Sequence, residues 1–287
     1  MTVTQHGLDA AQPPNAVKAR AMLQEIGGTW WNVYIGGPEA QRAWTPAEVQ
    51  EYEQEGISQF LLCYVGRQSG EVSRLTVAQG EQDGHDACQL AAEFGMAAAG
   101  TPICLDLELR TFEAAPSASL DYVGAWCQTV RARGLRPGVY ANPSALKSLH
   151  ERAVRPDWIW IASWVQHGVN PGADPHQAAD VPPDIWPKQG QRAWQYAGAF
   201  NQKACQVGDV DVDIDVADEA CLARRGGHPG WPHPSGHTYT VQPGDTLSAI
   251  ARKLNIAGGW QELYALNRGI IGPNPGLIHP GQALQLP

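Results

Sequence analysis

Eight short apolar or β-branched runs recur along residues 1–223, separated in several places by segments of helical periodicity. They read HGLD, WWNVYIGG, FLLCYVG, PICLDLEL, PGVYAN, WIWIASWV, RAWQYA and VDVDIDV. Strands that alternate with helices predict a parallel sheet, and eight of them in roughly 220 residues suit a closed (β/α)8-type barrel better than an open sheet. The helices have their own signals. Thr45, Pro46 and Glu48 form an N-cap, a first-turn proline and a capping-box acid, starting a helix that ends near Gly56. Val77–Phe94 and Leu120–Arg133 carry apolar residues at helical spacing, the second stopping at Gly134. Residues 165–191 are rich in Pro and Asp without a clear helix, so the last units of the α/β barrel are expected to be irregular.

Residues 224–236 are rich in Gly, Pro and His without periodicity and read as a linker between a domain at 1–223 and one at 237–287. Its His228 and His233, with His237 just beyond, lack interleaved Cys or acidic partners, so no metal site is expected. The formal charge of −9 belongs to the large domain, because residues 237–287 hold Arg252, Lys253 and Arg268 against only Asp245 and Glu262. In that C-terminal segment Tyr239 and Val241 alternate as a short strand and Asp245 stands where it can cap a helix from Thr246. A second helix runs near Trp260–Asn267 and a closing strand spans Ala283–Leu286, giving β-α-α-β. The runs TVQPGDTLSAIA, WQELYALN and PGQALQLP together resemble the LysM family over the whole segment. The resemblance implies a βααβ LysM domain that binds N-acetylglucosamine-containing glycans such as peptidoglycan. It places Gly244, Asp245, Thr246 and Leu247 on one side of a shallow groove and Leu277 and Ile278 on the other.

The chemistry of the large domain is read first from PICLDLEL. In an extended strand Leu105, Leu107 and Leu109 share one face while Asp106 and Glu108 share the other, with α-carbons roughly 6.6 Å apart. Paired carboxylates in an apolar setting push each other's pKa values apart, which supplies an acid and a base at one pH. Glycoside hydrolysis needs that pair. Asp9 closes the first run, and Asp213 lies in the last, where Asp209, Asp211, Asp213 and Asp215 alternate with Val210, Val212 and Ile214. Strand ends meet at the mouth of a barrel, so Asp9 and Asp213 are expected beside Asp106 and Glu108. Calcium is excluded as the purpose of the Asp run, because an EF-hand loop starting at Asp209 would need Gly and Glu where Ile214 and Ala220 stand. Four aspartates cannot all crowd a closed barrel, so some must lie beyond the strand or face solvent. Tyr34, Tyr64, Tyr140, Trp164, Trp194 and Tyr196, with Gln195 between the last two, sit at or near strand ends and suit a saccharide.

The ordered set GLDAAQ, LDLEL, PGVYAN, WIASW, AWQY and VDID, over residues 7–216, resembles the family 25 glycoside hydrolases of the lysozyme type and a related group of glycoside-hydrolase-like barrels. By that resemblance Glu108 is the acid, Asp106 orients the substrate N-acetyl group or water, and Asp9 and Asp213 complete a carboxylate ring. The implied function is a peptidoglycan hydrolase of the N-acetylmuramidase type that needs no cofactor and is held at the wall by LysM. The alternative is a non-catalytic wall-binding protein with a degenerate barrel. Other classes are disfavoured. No basic block marks a nucleic-acid partner, and no apolar stretch approaches the roughly 20 residues of a membrane helix. Residues 1–6 do not read as a signal peptide, so the expectation is an endolysin-like monomer made in the cytoplasm, of phage origin in the simplest case, and released to the wall at lysis. None of the six cysteines has the setting of a peptidase nucleophile, and most read as core thiols, with a Cys205–Cys221 disulfide left open.

Overall fold

A computed structural model describes residues 4–67, 69–166, 168–178, 181, 186, 191–198, 205–225, 238–254, 259–271 and 274–285. The chain splits into two compact units, residues 1–229 and 230–287. The proposed linker lies outside the described residues from 226 onward, as do His228, His233, His237 and Leu286. So does much of the irregular stretch before Gln191.

In the large unit all eight apolar runs become barrel strands. In chain order they are β1 (Thr4–Asp9), β2 (Trp30–Gly36), β3 (Gln59–Val65), β4 (Pro102–Asp106), β5 (Arg136–Ala141), β6 (Trp158–Gln166) and β7 (Arg192–Ala197). A small hairpin of β8 (Gln206–Val207) and β9 (Val210–Asp211) comes next, and then β10 (Asp213–Asp218). The sheet closes in the order β1-β10-β7-β6-β5-β4-β3-β2. Strands β1 to β7 pair in parallel wherever they meet, but β10 is antiparallel to both β1 and β7, so the expectation of a uniformly parallel barrel is corrected. A parallel return needs a crossover of a dozen or more residues, usually a helix. The described part of the connection from β7 to β10 instead holds the β8–β9 hairpin. That hairpin also divides the Asp run: Asp209 and Asp211 lie outside the barrel and are exposed, Asp209 pairing with Lys18 and Asp211 accepting from Gln206.

The helices begin where polar side chains close the first turn. Asn15, Thr45, Thr76 and Asn142 each accept from a backbone N–H, starting α1 (Ala16–Ile26), α2 (Pro46–Gln54), α3 (Val77–Glu93) and, later in the chain, α6 (Pro143–His150). Between them lie α4 (Leu109–Ala114) and α5 (Pro116–Ala132). Helices α2, α3 and α5 follow the sequence pattern. Helices α4 and α6 are too short for a periodic signal, and the alanines of α1 give little contrast between its faces.

Period-two alternation sorts the strand residues into two layers. Phe60, Leu62 and Tyr64 face the helices, while Leu61 and Cys63 join Trp30, Cys104, Trp158, Trp160, Ala193 and Ala217 inside the barrel. Two glycines make room for the tryptophans. A Cβ at Gly7 would lie 2.1 Å from the Trp30 indole, its neighbour on β2, and a Cβ at Gly138 would lie 2.1 Å from that of Trp158 on β6. All six cysteines are buried and none is in a disulfide, so Cys205 and Cys221 are not bridged.

The small unit pairs β11 (Thr238–Thr240) antiparallel with β12 (Ala283–Gln285) and packs α7 (Leu247–Lys253) and α8 (Gly259–Ile271) around Val241, Ile250, Leu263 and Leu284. Thr246, not Asp245, caps α7: its side chain accepts from Ala249 N, while Asp245 accepts from Gln242 N and the Tyr239 hydroxyl. Among the described residues no helix is long and apolar enough to cross a membrane.

The glycine seats give a direct test. Gly7→Ala or Gly138→Ala should overpack the barrel interior and cost about 1–3 kcal/mol or more, lowering the melting temperature by roughly 2–4 °C per kcal/mol. Unchanged thermal melts would contradict this packing.

Candidate active site

The parallel strands end at one rim, and the reversal of β10 brings its first residue there as well. Asp9 at the end of β1 is the register partner of Asp213 at the start of β10. One step deeper, Asp215 is the partner of Gly7 and lies fully buried, accepting from Trp160 Nε1 at 2.9 Å. Asp106, the last residue of β4, is half-buried at the same rim and is the register partner of Val65 and Tyr140.

Polar side chains on the inward face hold Asp9. Asn32 Nδ2 donates to Asp9 Oδ1 at 3.0 Å; the Tyr34 hydroxyl and Gln195 Nε2 donate to Oδ2 at 2.9 and 3.3 Å. Gln195 Oε1 accepts from both the Tyr140 hydroxyl and Trp164 Nε1, each at 2.8 Å. An indole N–H only donates, so Oε1 must face Trp164 and the amino end of the amide must face Asp9. Strands β1, β2, β5, β6 and β7 are thus joined at the rim by one hydrogen-bond network, with Trp164, 41% exposed, at its edge. Gly198 leaves space here: a Cβ would lie 2.3 Å from Asp213 Oδ1 and 2.9 Å from the Trp164 ring.

The electrostatics are those of acids taken out of water. Burial pushes Asp9 up to about 6, against its hydrogen bonds from Asn32 and Tyr34. Burial and then Asp9 raise Asp213 to about 7, while Asp106 rises to about 8 through burial first, then Glu108, then Asp9. Asp215 is raised well above the ordinary range by burial, Asp9 and Asp213. The Tyr140 phenol is pushed up by burial and then by Asp106, Asp9, Glu108 and Asp213 in turn, so all four acids lie within electrostatic reach of one hydroxyl. At neutral pH such a rim holds both protonated and ionised carboxyls.

Glu108 differs from the sequence expectation in its backbone. Strand β4 ends at Asp106, and Glu108 sits two residues past it as the N-cap position of α4, in extended conformation and exposed. It does not share a strand face with Asp106. The Asp106 carbonyl accepts from Gly66 N, and Leu107 N donates to the Tyr140 carbonyl, so the turn carrying Glu108 is held by both neighbouring strands. Of the expected sugar contacts, Tyr34, Tyr140, Trp164 and Gln195 belong to the rim network. Tyr64 does not: it faces outward and donates to Asp86 on α3. Trp194 and Tyr196 also face outward, the first donating to the Ser163 carbonyl and the second accepting from Asn170 N. On strands of period two, Tyr64 is out of phase with Leu61 and Cys63, and Trp194 and Tyr196 are out of phase with Gln195.

Sequence reading missed Asn32, although it alternates in phase with Trp30 and Tyr34 and was the one polar residue in its run. In the small unit Gly244 has φ +86°, Leu247 is buried, Leu277 is 54% exposed and Ile278 packs partly against the core. Among the described residues no group of three or more His, Cys, Asp or Glu is arranged to hold a metal ion.

A closed α/β barrel with acids gathered where its parallel strands end places the large unit in the class of glycoside-hydrolase-like barrels. The chain belongs to the Rv2525c-like, glycoside hydrolase-like domain family, whose model matches residues 23–217, and residues 239–287 match the LysM domain. Among solved structures the fold is similar to that of an uncharacterized protein of B. stearothermophilus, at 20% identity and TM-score 0.51 over 76% of this chain and 99% of that one. It is also similar to the Tat-secreted protein Rv2525c of Mycobacterium tuberculosis, at 16% identity and TM-score 0.47 over 75% and 95%. A third likeness is to the catalytic domain of endolysin ply40 from bacteriophage P40 of Listeria monocytogenes, at 16% identity and TM-score 0.48 over 77% and 95%. No curated protein matches the chain.

The raised acids make stability depend on pH. A carboxyl whose folded pKa lies above its unfolded value favours the folded state most below the unfolded pKa near 4, and that contribution is lost as pH rises through the folded value. For Asp9, Asp213 and Asp106 the loss spans about 4 to 8. Asp106→Asn should therefore melt higher than wild type at pH 9 and at the same temperature at pH 4. A gain of equal size at both would contradict the burial of this charge.

Proposed function

We propose that the protein is a peptidoglycan hydrolase of the N-acetylmuramidase type, acting at the bacterial cell wall. The observation that carries the reading is that Asp9 and its register partner Asp213 stand at the same rim as Asp106, the register partner of Tyr140, with Glu108 two residues beyond and Trp164 exposed. Cleavage of a glycosidic bond needs a proton delivered to the leaving oxygen and a carboxylate that activates water or attacks C1. Glu108, exposed on the turn just past β4, is the acid that delivers the proton to the leaving oxygen. Asp106, which holds a proton up to about pH 8, donates a hydrogen bond to the N-acetyl carbonyl and so orients the sugar. Trp164 offers its face to the ring, with Tyr34, Tyr140 and Gln195 forming the wall beneath. Asp9 and Asp213 complete the acidic ring.

The LysM segment supports the choice of substrate. Gly244, Asp245, Thr246, Leu247, Leu277 and Ile278 would hold the same N-acetylglucosamine-containing glycan, and tethering on one chain raises the local concentration of the wall at the barrel. The reaction as derived from these residues calls on no metal or cofactor.

Purified peptidoglycan digested by the full-length protein should yield new muramic acid reducing ends by mass spectrometry. Intact glycan with retained pull-down on cell walls would instead mark a wall-binding protein. Glu108→Gln should lower turnover by at least about 10²-fold while leaving wall binding intact. Asp106→Asn keeps an amide donor and should retain more activity than Asp106→Ala; the reverse order, or full activity in Glu108→Gln, would exchange or remove these roles.

A further inference from the structure

Gly198 follows the last residue of β7 and is buried at the rim. Its backbone lies outside the left-handed region that Gly36 and Gly37 occupy at the end of β2, so the conformation does not ask for glycine. The surroundings do. A Cβ there would lie 2.3 Å from Asp213 Oδ1, 2.9 Å from Trp164 Cε2 and 3.0 Å from Trp164 Nε1. Gly7 and Gly138 make room for core tryptophans, whereas Gly198 seats an acid and a tryptophan that is 41% exposed. Both neighbours reach it through irregular pairing on the two sides of β7. On β6 Ala162 pairs with Gln195 and Gln166 with Ala197, so Trp164 lies in a bulge, a device that re-aims a side chain. On β10 the register shifts between Ile214, the partner of Ala197, and Asp215, the partner of Gln195, just past Asp213.

We propose that Gly198 is a positioning residue, whose bare α-carbon fixes the Trp164 indole beside the Asp213 carboxyl as a single sugar-binding corner. Neither neighbour yields cheaply to a methyl group. Trp164 Nε1 is tied to Gln195 Oε1, which also takes the Tyr140 hydroxyl, and Asp213 is a short side chain on the first residue of a barrel strand. The corner has the chemistry a saccharide needs. An aromatic face stacks on the apolar C–H face of a sugar, and a carboxyl beside it exchanges a hydrogen bond with a hydroxyl or acetamido group in either protonation state. Asp9 accepts from Asn32, Tyr34 and Gln195, while among the described residues the half-buried Asp213 accepts no hydrogen bond. The consequence for turnover rests on the hydrolase reading; the seat itself does not.

The test compares the full-length protein with its Gly198→Ala variant by initial rates on purified peptidoglycan. KM should rise about tenfold, the worth of a displaced aromatic contact, with a smaller fall in kcat. In a Trp164→Ala background, where no ring is left to displace, the same substitution should raise KM by no more than about twofold. An unchanged KM, or an equal rise in both backgrounds, would overturn the proposal, because a merely structural defect adds to the loss of Trp164. The emission of Trp164, taken as the difference between each protein and its Trp164→Phe counterpart, should be quenched more readily by acrylamide in Gly198→Ala. Unchanged quenching would refute the seat. Should Gly198→Ala not fold, adding Trp164→Ala or Asp213→Ala should restore the fold by removing a clashing atom, and failure of both to do so would equally defeat the proposal. A wild type that opens no glycosidic bond would remove the hydrolase reading, while the quenching still decides for or against the seat.

Discussion

The reversed strand β10 is the constraint on which the rest of the large unit depends. Without it β1 and β7 would each present an open row of backbone donors and acceptors, and the barrel would be an open sheet with two edges. By pairing with both, β10 closes the sheet. Its direction matters as much as its presence. The rim acids of a parallel strand come from its C-terminal end, whereas an antiparallel strand presents its first residue there. Asp213 reaches Asp9 for that reason, and the first two acids of its run, Asp209 and Asp211, are left outside where water and Lys18 can solvate them.

Closure then creates an electrostatic difficulty. Carboxyls on neighbouring inward positions lose hydration, and each penalises the charge of the next. The barrel meets this in two ways. Burial displaces Asp9, Asp106, Asp213 and Asp215 all towards their protonated forms, and for Asp9 donors from β2 and β7 offset part of that shift. Gln195 links the two by accepting from Tyr140 and Trp164 on one end and donating to Asp9 on the other. The exposed edge of the rim at Trp164 and the buried carboxylate of Asp9 are thus connected through one amide. Beneath them the tryptophans seated on Gly7 and Gly138 fill the barrel, so the polar layer rests on a packed floor and not on a channel.

The eight runs, the capping box of Thr45 and Glu48 and the acidic strand ends were legible because they are local. Period two and the polar caps follow from backbone geometry, which neighbouring residues decide between themselves. Hence the barrel, helices α2, α3 and α5, and the βααβ order of the small unit could be read without coordinates. The phase of single side chains was less visible. Tyr64, Trp194 and Tyr196 stand near strand ends, as Tyr34 and Tyr140 do, but an aromatic suits either face of a strand covered on both sides, and composition does not say which. Asn32 escaped notice because a lone polar residue in an apolar strand declares itself only when its partner, Asp9, is known.

By itself, then, the order of residues determined that the chain makes an α/β barrel followed by a LysM-like module, and that acids cluster towards the ends of particular strands, since both follow from short-range periodicity and capping. Only the tertiary structure decided which way β10 runs, that the strand bearing Asp106 stops before Glu108, and which acid receives the hydrogen bonds of Asn32, Tyr34 and Gln195. Those outcomes depend on hydrogen bonds and desolvation between residues as far apart as Asp9 and Gln195, and such energies exist only after the barrel has closed.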